Sequence, residues 1–407
     1  MEEGMIIVSE YSNQLIICFK PRTRRTTCLK THREYGADLI DEIKELGHHI
    51  VKVPPNEVKS CISKYTSCPY VRFVEEDLYI TTEPIDSTVE QTPVTTNNNK
   101  SLTNDPSLEK QWGLLSVNAH EAWGLSRANA NLARIAILDS GIDQNHEDLR
   151  GKVIINRNFS NSSTVNDLYG HGTHVAGIAG AVTNNRIGIA GISFNAAQLM
   201  NIKVLGDTGG GSASNVAKGI IYAADQGAHI INLSLGMGTR SETLRNAVHY
   251  AHNRGCLLVG SAGNNSSSGE NYPAAFSQVI SVAATNKDNE LARFSNYGSW
   301  VDLAAPGQAI LSTFFNPSSN EKYRTASGTS QAVPFVSGLA GLIKGTNPRL
   351  TNRDIGSIIF QATDRLPELS GKIRYGKINA LKAMELARIF SREKMRRHNI
   401  PPAWLNY

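Results

Sequence analysis

The sequence predicts an α/β protein: a doubly wound, mainly parallel sheet preceded by a small α+β unit. Three observations carry this. Short apolar runs recur from residue 105 onward, and helical stretches separate several of them. Strands buried on both faces and alternating with helices imply parallel pairing through crossover helices. The first 80 residues follow another order: strand, helix, strand, helix, strand.

In the leading unit, Leu15 to Phe19 suits a strand. Leu39, Ile40, Ile43 and Leu46 stand at helical spacing, which predicts a helix from Glu34 to a stop at Gly47. His49 to Val53 is strand-like, Asn56 is a candidate N-cap for a helix through Lys64, and Val71 to Ile80 returns to strand. Residues 81–104 are rich in Thr, Asn, Ser and Pro and lose periodicity. They read as a linker, the kind of segment that proteases nick. Beyond it, Arg134 to Leu138, Leu199 to Leu205, His229 to Leu235, Leu257 to Ser261 and Val279 to Ala284 are predicted strands. Asn215 to Gln226 and Ser241 to Arg254 are predicted helices. Glu385 to His398 carries five basic and two acidic residues, with Ala387, Ile389 and Phe390 as an apolar side. A solvated helix end is the bland reading; a membrane or partner contact is the sharper one. The expected organisation is thus residues 1–80, a linker 81–104, a main domain 105–384 and a basic tail 385–407.

Composition narrows the class. The chain has 407 residues, 40% apolar, 19% charged and 7% aromatic, with a net charge of +5. That is globular, long enough for a sizeable core, and a weak pointer to a polyanion; no nucleic-acid partner is expected. No apolar run approaches the roughly 20 residues that span a membrane. Cys18, Cys28, Cys61 and Cys68 lie early and Cys256 stands alone. Without a C-x-x-C pair, and with an odd count in a long chain, they argue against zinc and against a disulfide framework. Buried thiols in a reducing compartment are expected. Glu2 and Glu3 stand where a secretory leader needs positive charge.

Three glycine-rich segments carry the chemistry. AILDSGID places Asp139 at the end of a buried strand. GHGTHVAGIAG opens a small-residue helix with His171 and His174. ASGTSQAVPFVSGLAGL places Ser330 at the start of another. Singly, such an Asp is a turn residue and such a Ser an N-cap. Together an acid, a base and a hydroxyl are the parts of a Ser-His-Asp triad. The H-x-x-H pair lacks the glutamate and spacing of a zinc site, so His174 reads as a packed histidine. N-x-[ST] occurs at Asn158, Asn161, Asn232, Asn264 and Asn265 among others, and Asn232 falls in a predicted core strand, so the motif does not inform.

These segments, with NLSLG, SAGNNS and NYPA, closely resemble the subtilisin-like serine proteases, the subtilases, and within them the thermitase-like branch. The resemblance covers roughly residues 104–384. It implies a serine endopeptidase in which Ser330 attacks, His171 relays the proton and Asp139 orients the imidazole. Asn264 would donate to the oxyanion beside the Ser330 N–H. Substrate would pair as a strand between Gly209, Gly210 and Gly211 on one side and Ser234, Leu235 and Gly236 on the other. Ala262, Gly263 and Asn271 would wall the first pocket. Its floor, with Asn265 and Asn271, has no acid, which implies an apolar or uncharged residue before the cut; Met237 would narrow its mouth. One calcium site is implied: Asp105, Asp148 and Asn185 by side chains, Val182, Ile187 and Ile189 by carbonyls. A second, acid-rich site is expected to be lost, because Asn158, Asn161 and Ser163 replace acids. Gln331 and Phe335 depart from the family's methionine and histidine. Loss of that thioether implies tolerance to peroxide.

The first 80 residues resemble the subtilase propeptide, chiefly through element order and VRFVEED. This implies a zymogen, inhibited by its own propeptide, cut within 81–104 and monomeric when mature, keeping only Cys256. A different reading is a pseudoprotease that binds a partner through the old cleft. The missing leader and free cysteines point to the cytoplasm; the calcium site and propeptide point to export.

Overall fold

The structure is a computed structural model and describes residues 13–82, 103–126 and 133–398, with side chains to residue 393. Most of the expected linker and the end of the basic tail therefore lie outside the described residues. The N-terminal unit runs β1 (Gln14–Phe19), α1 (Arg25–Glu34), β2 (Asp38–Ile43), β3 (His48–Lys52), α2 (Val58–Thr66), β4 (Val71–Glu76) and β5 (Tyr79–Thr81). Its antiparallel sheet has the order β2-β3-β1-β4. Alternation sends Leu15, Ile17 and Val51 into the unit's own core with Cys28, Cys61 and Tyr65. Ile43 and Ile50 face the main domain and pack into its core.

Three local expectations are corrected here. The helix lies earlier, at Arg25–Glu34, and the stretch after it is the strand β2. A register shift between Leu39 and Asp41 breaks the two-residue alternation, so a bulged strand mimicked helical spacing. Ile40 is left 47% exposed while Ile43 is buried. Asn56 does not cap a helix; it sits in a 3-10 turn, Pro55–Glu57, and α2 starts after it. Val71 to Ile80 is two strands, since β5 leaves its sheet to pair with the main domain.

The main domain comprises α3 (Trp112–Ser116), α4 (Ala119–Trp123), β6 (Ala133–Asp139), β7 (Val153–Asn158), α5 (His171–Gly180), β8 (Ala197–Lys203), β9 (Gly210–Ser212), α6 (Ala213–Asp225), β10 (Ile230–Leu233) and α7 (Glu242–Asn253). There follow β11 (Leu257–Ser261), β12 (Val279–Thr285), β13 (Leu303–Pro306), β14 (Ile310–Thr313), β15 (Tyr323–Ala326), α8 (Thr329–Thr346), α9 (Asn352–Gln361), β16 (Thr363–Asp364), β17 (Gly376–Ile378) and α10 (Ala380–His398). Nine strands form one sheet in the order β16-β17-β13-β12-β11-β10-β6-β8-β7. All pairs are parallel except β16 with β17. Along β6, Ile135 and Ile137 enter the core shared with α5 and α8, while Ala136 and Leu138 enter the core under α6 and α7. Burial on both faces is why these strands read as continuous apolar runs. All five cysteines are buried and free. Among the described residues no helix is long and apolar enough to cross a membrane.

Candidate active site

From β6 the chain passes to β7 and β8 on one side of the sheet, then crosses to β10 on the other. The carboxyl ends of β6 and β10 therefore flank a crevice, the usual ligand site of open α/β sheets. Asp139 ends β6, and Ser234 lies just past β10. His171 opens α5, and Ser330 is in the first turn of α8.

Asp139 Oδ1 accepts hydrogen bonds from His171 Nδ1 at 2.8 Å and from the Ser140 N–H at 2.7 Å. Both side chains are buried. Burial opposes a charge on His171, but the Asp139 carboxylate, with Asp167 behind it, outweighs this and raises the imidazole pKa. His171 Nε2 and Asp139 Oδ2 have no partner. The Ser330 hydroxyl donates to the Ser234 carbonyl at 3.1 Å, not to His171. Such a nucleophile–base bond often closes only once substrate is seated.

The Ser330 carbonyl accepts the Ser234 hydroxyl at 2.9 Å. It is available because Pro334, four residues on, has no N–H to fill it. Asn232 donates to Ser234 Oγ at 3.0 Å and accepts from Ser337 Oγ at 2.8 Å, so the helix that carries Ser330 is tied to β10 by buried polar links. Asn264 Oδ1 accepts from the Thr329 N–H at 2.8 Å and hydroxyl at 2.9 Å. That fixes the amide and leaves Nδ2 beside the turn at Gly328.

Sequence reasoning missed Asp167. It is fully buried, and five donors converge on it. Oδ1 accepts from Ser140 Oγ at 2.9 Å, the Tyr169 N–H at 3.0 Å and the Gly170 N–H at 2.8 Å. Oδ2 accepts from the Thr173 N–H at 2.8 Å and hydroxyl at 2.7 Å. Asp167 thereby holds the start of α5, and so His171, against the turn after Asp139. Its signal was an acid four residues before His171, ahead of exposed helix N–H groups. His174 is buried, bonded to the Arg324 carbonyl at 3.0 Å and held neutral, with burial lowering its pKa to about 3.

The two expected cleft strips hold a guest. β5 pairs antiparallel with β9, joining Ile80 to Gly211 and Thr81 to Gly210. The Thr82 N–H donates to the Gly209 carbonyl at 3.0 Å, and the Gly236 N–H to the Thr81 carbonyl at 3.1 Å. A side-chain carbon on Gly210 would sit 1.8 Å from Tyr79 Oη, so the Tyr79 ring could not lie over the strip as it does. The N-terminal unit also supplies two helix caps. Glu75 accepts from Ser241 Oγ and the Thr243 N–H at 2.9 Å each and from the Glu242 N–H at 2.8 Å, at the start of α7. Asp77 accepts from the Ser214 N–H at 2.9 Å and Oγ at 2.6 Å, at the start of α6. Both carboxylates oppose the positive ends of helices.

A cleft of about 690 Å³ is lined by Arg240, Asn265, Ser267, Glu270, Asn271 and Asn296. Arg240 and Glu270 were not anticipated there. Ala262 and Gly263 follow β11; the Gly263 N–H donates to Thr329 Oγ1 at 3.1 Å, and Asn271 Nδ2 to the Ser261 carbonyl at 2.9 Å. Leu235 is buried, and Met237 pairs with Tyr272.

The residues expected to bind calcium meet in one loop cluster. Asp105 accepts from the Asn184 N–H at 2.9 Å and the Asn185 N–H at 3.1 Å; Asn185 Nδ2 donates to Asp148 Oδ1 at 2.8 Å. Asp148 Oδ2 accepts from the Ile189 N–H at 2.8 Å and Tyr323 Oη at 3.0 Å, and burial raises its carboxyl pKa. Two buried carboxylates and the Asn185 amide, whose Oδ1 accepts the Ile187 N–H at 2.8 Å, supply oxygens of the kind a hard cation takes. Among the described residues no three His, Cys, Asp or Glu side chains cluster as a metal site. In the loop expected to lack a second site, Asn158 instead bonds the Ser160 N–H at 2.8 Å and the Ser162 carbonyl at 2.6 Å.

Comparison with known proteins agrees with this geometry. The subtilase family matches residues 132–377, and the fervidolysin N-terminal prodomain matches residues 11–77. A thermophilic serine proteinase of Bacillus sp. (strain AK1) is 36% identical over 94% of this chain and 89% of that protein. Thermitase of Thermoactinomyces vulgaris is 43% identical over 69% of this chain and 99% of that protein. The solved fervidolysin of Fervidobacterium pennivorans shares the fold at 24% identity, with a TM-score of 0.78 over 92% of this chain and 61% of that one. The chain belongs to the subtilase family, as a thermitase-like serine endopeptidase carrying an N-terminal prodomain.

Proposed function

We propose that the chain is a zymogen whose endopeptidase centre is Ser330, His171 and Asp139, with the Ser330 N–H and Asn264 Nδ2 as oxyanion donors. The observation that carries this is the buried His171–Asp139 hydrogen bond of 2.8 Å with His171 Nε2 left unpartnered. Ser330 Oγ adds to the scissile carbonyl, its proton passes to Nε2, and the leaving amine takes that proton. Asp139 keeps the Nδ1–H tautomer and offsets the imidazolium charge.

Residues 79–82 occupy the strips that would hold a substrate strand, which supports inhibition by the prodomain until cleavage within 81–104. A neutral residue before the cut is the reading for a cleft in which the amides of Asn265, Asn271 and Asn296 stand with one acid, Glu270, and one base, Arg240. Asp105, Asp148, Asn185 and the carbonyls of Val182, Ile187 and Ile189 would hold one structural calcium ion, which would neutralise the buried acids. The mature enzyme would act as a monomer.

The test is labelling by a fluorophosphonate probe. Labelling of the processed chain at Ser330, abolished in Ser330→Ala, is expected. An unlabelled wild-type chain would leave the pseudoprotease reading in its place.

A further inference from the structure

Lys203 ends β8, and its side chain is fully buried. A buried ammonium is costly unless it is paired and hydrogen-bonded. Its Nζ donates to the Ser140 carbonyl at 2.6 Å, the Asn166 carbonyl at 3.0 Å and Asp207 Oδ1 at 2.8 Å, so all three hydrogens are used. In the parallel register Lys203 stands beside Asp139, and both side chains point to the face that carries α5. The two carbonyls it holds belong to the residue after Asp139 and the residue before Asp167. Their turns meet directly: a carbon placed on Gly141 would lie 2.8 Å from the Asn166 carbonyl oxygen and 2.8 Å from the Asp167 nitrogen. The Val165 carbonyl, one residue earlier, accepts from Asn201 Nδ2 at 2.9 Å, from the same face of β8. Asp139 Oδ2 has no hydrogen-bond partner, so charge on this carboxylate is left to be balanced at longer range.

We propose that Lys203 is a positioning residue for the His171–Asp139 pair and its fixed counter-charge. The inference rests on the roles proposed for Ser330, His171 and Asp139. One ammonium fixes both the peptide after Asp139 and the peptide before Asp167. Asp167 in turn holds the start of α5, so the base and its acid partner are set from one buried point. The charge acts as well. The charged or titratable groups around the pair are Asp139 from β6, Asp167 from the turn before α5, His174 from α5, Arg324 from β15 and Lys203 from β8, with Asp207 at its outer end. His174 is held neutral, and Arg324 is paired with Glu321 at 3.0 Å. Two buried anions thus favour a proton on His171, and the Lys203 cation opposes them. Without it, more of His171 would already be protonated at neutral pH and unable to take the Ser330 proton.

The test uses the full chain brought to its active form. Lys203→Met keeps much of the side chain's length and removes the charge with its three hydrogen bonds. On a peptide amide substrate, kcat is expected to fall about tenfold or more with KM nearly unchanged. The acid limb of kcat/KM is expected to move up by about half a pH unit, because a cation has gone from beside His171. Asp207→Asn probes the other end of the ion pair. Asp207 is 38% exposed, so the fold should tolerate this change, and loss of the anion should move the limb down, by less, at low ionic strength. Opposite shifts mark a charge effect, since loosened packing would not change sign between the two variants. A limb that Lys203→Met leaves in place or lowers overturns the proposal and makes Lys203 a structural tie. Should Lys203→Met not accumulate, a limb that Asp207→Asn leaves in place or raises does the same. A wild-type active chain that a fluorophosphonate does not label at Ser330 overturns the proposed triad instead, so the two failures are distinguishable.

Discussion

Removing the Asp167 carboxylate should destabilise the start of α5 more than any other single polar change near the site. Asp167→Ala strands five donors. The hydroxyls of Ser140 and Thr173 can rotate to new acceptors. The N–H groups of Gly170 and Thr173 are buried and cannot. Each buried, unsatisfied N–H costs roughly 1–3 kcal/mol, so the pair costs about 4 kcal/mol. For a domain of this size, that lowers the melting temperature by roughly 8 °C or more. Asp167→Asn keeps one acceptor oxygen but turns an NH₂ group toward the other set of donors, so it should fall between. Calorimetry of the full chain in a Ser330→Ala background measures this without self-cleavage. In the active background, Asp167→Asn should lower kcat more than it raises KM, because His171 sits on the loosened turn. A melting temperature for Asp167→Ala within about 1 °C of the parent would refute the claim that this carboxylate holds the histidine in place.

Three further outcomes are expected. As the proposed base, His171 would act only when neutral, and its pKa is raised above the ordinary 6.5; kcat/KM should therefore rise with pH on a limb centred above 6.5, and Asp139→Asn should move that limb down while cutting the rate about 10⁴-fold. Glu75→Gln with Asp77→Asn removes two anions from the starts of α7 and α6, each worth about 0.3–2 kcal/mol; labelling of Ser330 in the full-length chain should quicken several-fold as the N-terminal unit undocks. Stripping calcium with a chelator should lower the melting temperature of the wild type, while Asp148→Asn should start lower and lose this response.

What could be read from the sequence, and what could not, follows a physical division. Asp139, His171 and Ser330 were legible because each chemical group sits in a short run with its own glycine flanks, and because β6, β10 and β11 are buried on both faces and read as plain apolar runs. β2 was not, because a bulge at Leu39–Asp41 shifted its alternation into helical spacing. Asp167, Glu75 and Asp77 were invisible for another reason. Their partners are largely backbone N–H groups at the starts of α5, α7 and α6. A backbone N–H belongs to almost every residue, so the partner segment bears no side-chain mark of the contact. The same holds for the cleft, where Thr81 and Thr82 are held through main-chain groups of Gly236 and Gly209. The side chains proposed to react carry their own pattern in the sequence. Carboxylates that only position backbone do not, although His171 depends on one of them and the docking of the N-terminal unit on two.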